Sequence, residues 1–430
     1  MRILWVKADK LLPVQNGGNI RTYHVLRYLS ARHELTFYSY YGGTRDPHYE
    51  RDLQQQLPGA MAVCTGKREL SGPARGLDYL AHLSAQSPYA VSRFAHAPVQ
   101  KQLQTWFRER RFDIAVCDFL DAAVNCPGSL SIPRVLFQHN VESEIWRRHA
   151  ATAGNSAKKM MYRMEFRKML RYERAAVCKF QHVIAVSEND RSLMTQWVDG
   201  DRVTVVPTGV DLAQYCPDPA SSDRNPLDAS APLVTFVGAM DWEPNVDGVE
   251  YFCSEVWPAI KAEVPQARFR IVGRNPDRRV QKWASNSMNS NNDDSIEVTG
   301  RVPSVVEHLR QSAVIIVPLR IGGGTRLKIY EAMATAKAVV STTVGAEGLD
   351  VHHGRDIILA DDPRSFAQAV IMLLRDPELR RRYEKAAVET AARYDWPAIG
   401  ERFSEVLQSV AEKKSLAVRA MPARLAEKKA

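Results

Sequence analysis

Pro318-Leu319-Arg320-Ile321-Gly322-Gly323-Gly324-Thr325-Arg326-Leu327-Lys328-Ile329-Tyr330-Glu331-Ala332-Met333 decides the fold. An apolar run, Ala313 to Leu319, leads into it and reads as a buried strand. Three glycines follow. A helical pattern comes next, with Leu327, Tyr330 and Met333-Ala334 on one face. A strand, a glycine turn and a helix start together form an anion site. Glycine lets backbone approach a ligand, and the first helical N–H groups point at it. Arg326 and Lys328 add positive charge there. Glu331 follows Lys328 by three residues, on the same face, and can accept hydrogen bonds from hydroxyls such as those of a ribose.

The same alternation extends in both directions. Before this stretch, Arg2–Lys7, Glu34–Tyr40, Ala60–Cys64, Ile114–Asp118, Arg134–Gln138, His182–Ser187 and the run from Val203 read as strands. Most are continuously apolar, as strands covered on both faces are. Helical stretches lie between them, among them Asn19–Ala31, Pro98–Arg110 and Lys158–Lys179. The pattern is that of an α/β protein with a doubly wound parallel sheet. It lapses over 213–232, which is rich in Pro, Asp and Ser and reads as a linker. It then restarts with Leu233–Gly238, Arg268–Gly273, Ser295–Thr299, Val314–Pro318, Ala338–Thr342 and Asp356–Leu359 as strands. The expected organisation is an N-terminal domain over 1–212, a C-terminal domain over 233–394, a helix over 395–411 turned by Asp395-Trp396-Pro397, and a mobile basic tail over 412–430. Ligands of such sheets bind at the carboxyl ends of the strands, so two facing halves imply a site in the cleft between them.

Composition narrows the function. With 430 residues, 45% hydrophobic and 25% charged, the chain has the make-up of a soluble globular protein. Six scattered cysteines contain no CxxC pair and read as reduced core residues. The first seven residues form a short strand, not a signal peptide, and no window approaches the ~20 apolar residues of a membrane span. A cytoplasmic protein is expected. The net charge is +9, and the last twenty residues hold six basic and two acidic side chains. This excess suits an anionic small substrate or an acidic membrane face, and no nucleic-acid motif accompanies it. Lys158–Arg174 is basic and amphipathic. It reads as a domain helix with a solvated basic face and methionines filling core gaps, with an anionic membrane as the alternative. Asp199-Gly200-Asp201 reads as a tight turn, and no metal is implied.

Two further turns carry candidate chemistry. Pro13-Val14-Gln15-Asn16-Gly17-Gly18-Asn19 leads from the first strand into a helix that Asn19 can cap. It is not GxGxxG, which argues against a dinucleotide site. In Phe137-Gln138-His139-Asn140-Val141-Glu142, His139 emerges at a strand's carboxyl end, where it could hydrogen-bond a sugar hydroxyl or handle a proton.

Together these features resemble the retaining glycosyltransferases of family 4, with the GT-B architecture of two facing Rossmann-like domains. The resemblance covers nearly the whole chain. Its most specific part is Val317-Pro318-Leu319 through Glu331-Ala332-Met333-Ala334. Ala185-Val186-Ser187-Glu188, Val206-Pro207-Thr208-Gly209-Val210-Asp211 and Phe236-Val237-Gly238 are similar to other family segments. The resemblance implies that Glu331 holds the donor ribose, that Gly323, Gly324 and Thr325 lie over the diphosphate, that Gly17 and Gly18 approach it from the other half, and that His139 stands near the transferred sugar. It implies no cofactor. The substrate would be a nucleoside-diphosphate sugar, UDP- or GDP-linked in preference to ADP-linked. The acceptor would be a sugar or lipid-linked hydroxyl in polysaccharide or glycolipid assembly, at the inner face of a membrane.

The chain departs from the family pattern twice. Gly323 stands where the first of two glutamates is common. Ala239 and Asn245 stand where an Arg and a Lys commonly neutralise the diphosphate. Arg326 and Lys328 are the candidate replacements, and with His139 they make the expected catalytic set. A sugar-nucleotide epimerase of the same fold and a nucleotide-sugar-binding protein without turnover are the alternatives.

Overall fold

The computed structural model describes the whole chain except residues 69, 129–131, 218–230, 285–293, 323 and 428–430. Of Thr152 and residues 414–427 it describes the backbone alone. The chain divides into two units. One is Met1–Pro207 with Pro397–Ala430, and the other is Thr208–Trp396.

The first unit is built on seven parallel strands: β1 (Arg2–Ala8), β2 (Glu34–Tyr41), β3 (Met61–Cys64), β4 (Ile114–Asp118), β5 (Arg134–Phe137), β6 (His182–Ala185) and β7 (Val203–Val205). Their order is β3-β2-β1-β4-β5-β6-β7. The sequence therefore runs one way from β1 and the other way from β4. The crevice at the β1/β4 switch point is where such sheets place a ligand. Register sets Lys7 at the end of β1 beside Asp118 at the end of β4. Both faces are covered, so Ile114–Asp118 and Arg134–Phe137 are buried at every position.

The second unit has six parallel strands: β8 (Leu233–Val237), β9 (Arg268–Val272), β10 (Ile296–Gly300), β11 (Val314–Val317), β12 (Ala338–Ser341) and β13 (Ile358–Leu359). The order β10-β9-β8-β11-β12-β13 puts the switch point between β8 and β11. Phe252, Trp257 and Phe269 form an aromatic nucleus on one face, with Phe252 and Phe269 ring centres 4.7 Å apart. After β8 the chain forms three consecutive helical segments: Glu243–Tyr251, a π segment Phe252–Val256, and Trp257–Glu263. Pro258 supplies no N–H to the ladder there, which fits a change of hydrogen-bond pattern at that point.

The first unit closes at Pro207. Residues after it pack with the second unit, because Val210 N–H donates to the Tyr394 carbonyl at 2.8 Å and Arg310 donates to the Cys216 carbonyl at 2.9 Å. Most of the expected linker, 218–230, lies outside the described residues. The last helix runs Trp396–Glu427, sixteen residues past its expected end at 411, so the basic segment continues the helix as far as Glu427. Phe403 seats this helix on the first sheet, its ring 5.4 Å from Trp5 and 5.0 Å from Phe137. Asp199-Gly200-Asp201 leads into the 3-10 turn Gly200–Arg202. Of the cysteines, Cys117 and Cys253 are buried and Cys178 is exposed, so the core reading does not extend to Cys178.

Candidate active site

The β8/β11 switch point is where the glycine stretch lands. β8 ends at Val237 and Gly238 follows. A Cβ on Gly238 would stand 2.6 Å from Asn245 Nδ2 and 2.8 Å from Lys328 Nζ, so only glycine fits under the lysine. Lys328 Nζ donates to Asn245 Oδ1 at 3.0 Å and lies 4.4 Å over the Phe236 ring. Asn245 in turn donates to the Ala239 carbonyl at 2.8 Å. The ammonium is therefore aimed by Asn245, one of the two positions where the family pattern has basic residues.

After β11 the chain turns through Gly322, at φ +124°, a conformation that side chains other than hydrogen rarely adopt. A Cβ at Gly322 would also strike the Arg326 guanidinium. Arg326 is buried and sits 5.0 Å over the Trp242 ring. It is the N-cap of the helix Leu327–Ala334, whose first N–H groups have no partner within the helix. Gly324, at φ +79°, has open space around it, and Gly323 lies outside the described residues.

Burial lowers the Lys328 amino group to about 7, and Arg326 pushes the same way while Glu331 opposes. Burial raises the Glu331 carboxyl, against a hydrogen bond from Tyr215 and the charge of Lys328. Two cations, a carboxylate and a helix start thus converge at one strand end. A diphosphate would relieve the repulsion between the cations, and Glu331 has acceptor capacity for hydroxyls.

In the first unit, His139 follows β5 and is buried beside Gly18, with the ring 4.0 Å from where a Gly18 Cβ would be. His139 Nε2 is 2.6 Å from Asp118 Oδ1, and its Nδ1 is 3.0 Å from an Arg21 guanidinium nitrogen. Arginine can only donate, so Nδ1 accepts and Nε2 carries the proton given to Asp118. Burial lowers the imidazole to about 4, so it is neutral near pH 7. Burial alone would raise Asp118, but Lys7, His139 and Thr22 hold it well below the usual carboxylate range. Trp5 Nε1 adds a donor at 3.1 Å. Both imidazole nitrogens are thus engaged within the protein. In this arrangement His139 bridges Asp118 on β4 and Arg21 on the helix that follows the Gly17-Gly18 turn. Asn16, not Asn19, caps the helix Gly17–Ser30, accepting from Asn19 N–H at 2.8 Å.

Replacing His139 with Ala removes one donor from a buried carboxylate. Stability is expected to fall by about 1–3 kcal/mol, with a smaller loss for His139→Gln. The urea midpoints of the two variants check this.

Sequence reasoning missed three features. Asp118 carried a signal, an acid at the end of an otherwise apolar strand. Tyr215 lay in a segment read as linker. The third is a group of carboxyls, Asp121 after β4, Glu142 after β5 and Glu173 on the helix Ser156–Lys179, of which Glu173 is fully buried. Burial raises Asp121 to about 6, Glu142 to about 8 and Glu173 to about 7. Glu173 accepts from Gln138, Glu142 N–H and Ser143 N–H at 2.9–3.1 Å. Among the described residues no group of three His, Cys, Asp or Glu side chains could hold a metal ion.

Two family profiles together match most of the chain. The one described as Glycosyltransferase Family 4 matches residues 15–214, and the one described as Glycosyl transferases group 1 matches residues 231–376. The chain belongs to the group 1, family 4 glycosyltransferases. This glycosyltransferase is 26% identical over 332 residues to a phosphatidyl-myo-inositol mannosyltransferase of Mycolicibacterium smegmatis, covering 75% of this chain and 78% of the relative. It is 27% identical over 220 residues to a D-inositol 3-phosphate glycosyltransferase of Corynebacterium efficiens, covering 48% of this chain and 51% of that one. Among solved structures, sucrose-phosphate synthase of Thermosynechococcus elongatus superposes with a TM-score of 0.70 at 17% identity, over 95% of this chain and 99% of that one. Anabaena HepE, solved in complex with UDP, gives 0.66 at 16% identity, over 95% and 100%. The fold of this glycosyltransferase is GT-B, with two Rossmann-like parallel-sheet domains.

Proposed function

We propose that the enzyme transfers a hexosyl group from a nucleoside-diphosphate sugar to an acceptor hydroxyl with retention of anomeric configuration. The observation that carries this is the meeting of Lys328, Arg326 and Glu331 at the β8/β11 switch point. Negative charge builds on the diphosphate as the bond to the sugar breaks. Preorganised cations in a partly dry site stabilise that charge more than they stabilise the ground state. Lys328 and Arg326 take this role, and Glu331 accepts the ribose hydroxyls. The departing phosphate assists removal of the acceptor proton on the face it leaves, which retains configuration. His139, bonded through both ring nitrogens to Asp118 and Arg21, transfers no proton.

A UDP- or GDP-linked donor is favoured, and the UDP complex of HepE supports the first. The inositol-lipid and inositol-phosphate substrates named for the relatives support a sugar or lipid-linked acceptor, bound by the first unit in polysaccharide or glycolipid assembly. Peripheral contact with an anionic membrane belongs to the same reading.

Slow donor hydrolysis tests the chemistry without knowledge of the acceptor. The enzyme is incubated with a panel of UDP- and GDP-sugars and followed by proton NMR. One donor is expected to release its nucleoside diphosphate, with the freed sugar first appearing as the donor's own anomer. The opposite anomer would rule out retention. Conversion of the sugar while still attached to nucleotide would make the enzyme an epimerase. Binding with no release, even with cell-extracted acceptors, would make it a binding protein.

A further inference from the structure

The helix Gly72–Ala81 is amphipathic yet buries none of its residues. Leu77 and Leu80 stand one turn apart on its outer side, 69% and 58% exposed, and Leu83 follows just past its end. Beside it runs the helix Ser156–Lys179. Met160, Arg163, Met164, Arg167, Lys168 and Arg171 recur at spacings of three and four, which is one face, and with Leu83 they line a groove of about 570 Å³. Met160, expected to fill a core gap, is 72% exposed. Of the seven large hydrophobic side chains exposed among the described residues, Leu77, Leu80, Leu83 and Met160 are four.

The two elements are held together. Tyr79 donates to Glu165 at 3.2 Å, and Lys168 Nζ donates to the His82 and Leu83 carbonyls at 3.2 and 3.0 Å. The same contacts bury Glu165, and the half-buried Asp78 is paired. Glu165 takes the Tyr89 N–H as well, at 3.2 Å, and Asp78 takes the Tyr89 hydroxyl at 2.7 Å. The groove is left with Leu83 and Met160 beside Arg163, Arg167 and Arg171, and Leu77 and Leu80 stand exposed on the neighbouring helix.

We propose that this face is a docking surface for an anionic lipid bilayer, with Leu77, Leu80, Leu83 and Met160 entering the acyl boundary and the arginines meeting lipid phosphates. Charge selects the occupant. An anionic interface pairs with apolar and basic groups together. A second copy on a twofold axis would instead bring the same arginines against one another. Among the described residues no helix is long and apolar enough to cross a membrane, so contact would be peripheral. The assignment rests on the peripheral membrane contact proposed above and names the surface that makes it, while the donor chemistry stands apart from that surface.

Sedimentation of the full chain with phosphatidylcholine vesicles, with and without phosphatidylglycerol, tests the proposal. Binding is expected with phosphatidylglycerol, falling at least tenfold on neutral vesicles. Leu77→Ser/Leu80→Ser and Arg163→Glu/Arg167→Glu are each expected to lower partition at least tenfold. Raised salt should weaken the wild type and the leucine variant but change little in the charge-reversed one. Donor hydrolysis should be unchanged in both variants, which separates this test from that of the transferase reading. Wild type remaining in the supernatant with phosphatidylglycerol would overturn the proposal. So would both variants binding as wild type does. A lipid-free dimer that the leucine variant dissociates would assign the face to a second copy instead.

Discussion

Lys328→Met is expected to lower turnover by about a hundred- to a thousand-fold, the range seen when one preorganised group that stabilises developing negative charge is removed. The methionine keeps most of the stem and loses the charge. Asn245 aims the ammonium from 3.0 Å, and Gly238 leaves room beneath it. Arg326→Ala should cost less, because the guanidinium is partly held by Trp242. The pH dependence separates a charge effect from a packing effect. In the free enzyme, burial and Arg326 bring the amino group to about 7. A diphosphate favours the protonated form and raises that value on binding. Affinity is therefore full below about pH 7 and falls as pH rises through it, with proton uptake on binding. Calorimetry in buffers of different ionisation enthalpy measures that uptake. In Lys328→Met both the uptake and the slope above pH 7 should vanish. An unchanged slope would take Lys328 out of the diphosphate site.

Glu331→Ala is expected to weaken the donor by about ten- to a hundred-fold, the worth of charge-assisted hydrogen bonds of about 1.5–3 kcal/mol. The assignment to ribose is tested by a comparison. Wild type should prefer the ribonucleotide to its 2′,3′-dideoxy analogue by a similar factor, and Glu331→Ala should not discriminate between them. Tyr215 sharpens the expectation. It hydrogen-bonds Glu331 in the free protein, so part of what the ribose gains is exchanged for that bond. Tyr215→Phe should leave discrimination intact. Equal loss on both nucleotides in Glu331→Ala would point to a structural role instead.

Much of this was legible in the sequence for a physical reason. Parallel strands covered on both faces must be continuously apolar, so Val314–Val317 and Ala338–Ser341 are visible as runs. A glycine turn between a strand and a helix marks where a ligand approaches, and the β8/β11 switch lies there. Side-chain partnerships were not legible. Lys328 with Asn245 and His139 with Asp118 join residues far apart in the chain. Nothing in the local pattern around His139 shows that both its nitrogens are taken. The helix Gly72–Ala81 escaped because Gly72, Pro73 and Gly76 in its first half read as turn residues. The length of the last helix escaped because its basic composition resembles that of a solvated tail.

The second unit is expected to hold a nucleoside diphosphate through Lys328 and Glu331. A thermal-shift titration with UDP, GDP, ADP, CMP and NAD, on wild type and on Glu331→Ala, tests it most directly. Ligand at a hundred times its Kd stabilises the native protein by about 2.7 kcal/mol, a rise in midpoint of roughly 5 °C or more. UDP or GDP alone should produce that rise in wild type and lose most of it in the variant. A response to NAD alone, to no diphosphate, or of equal size in Glu331→Ala would contradict the claim.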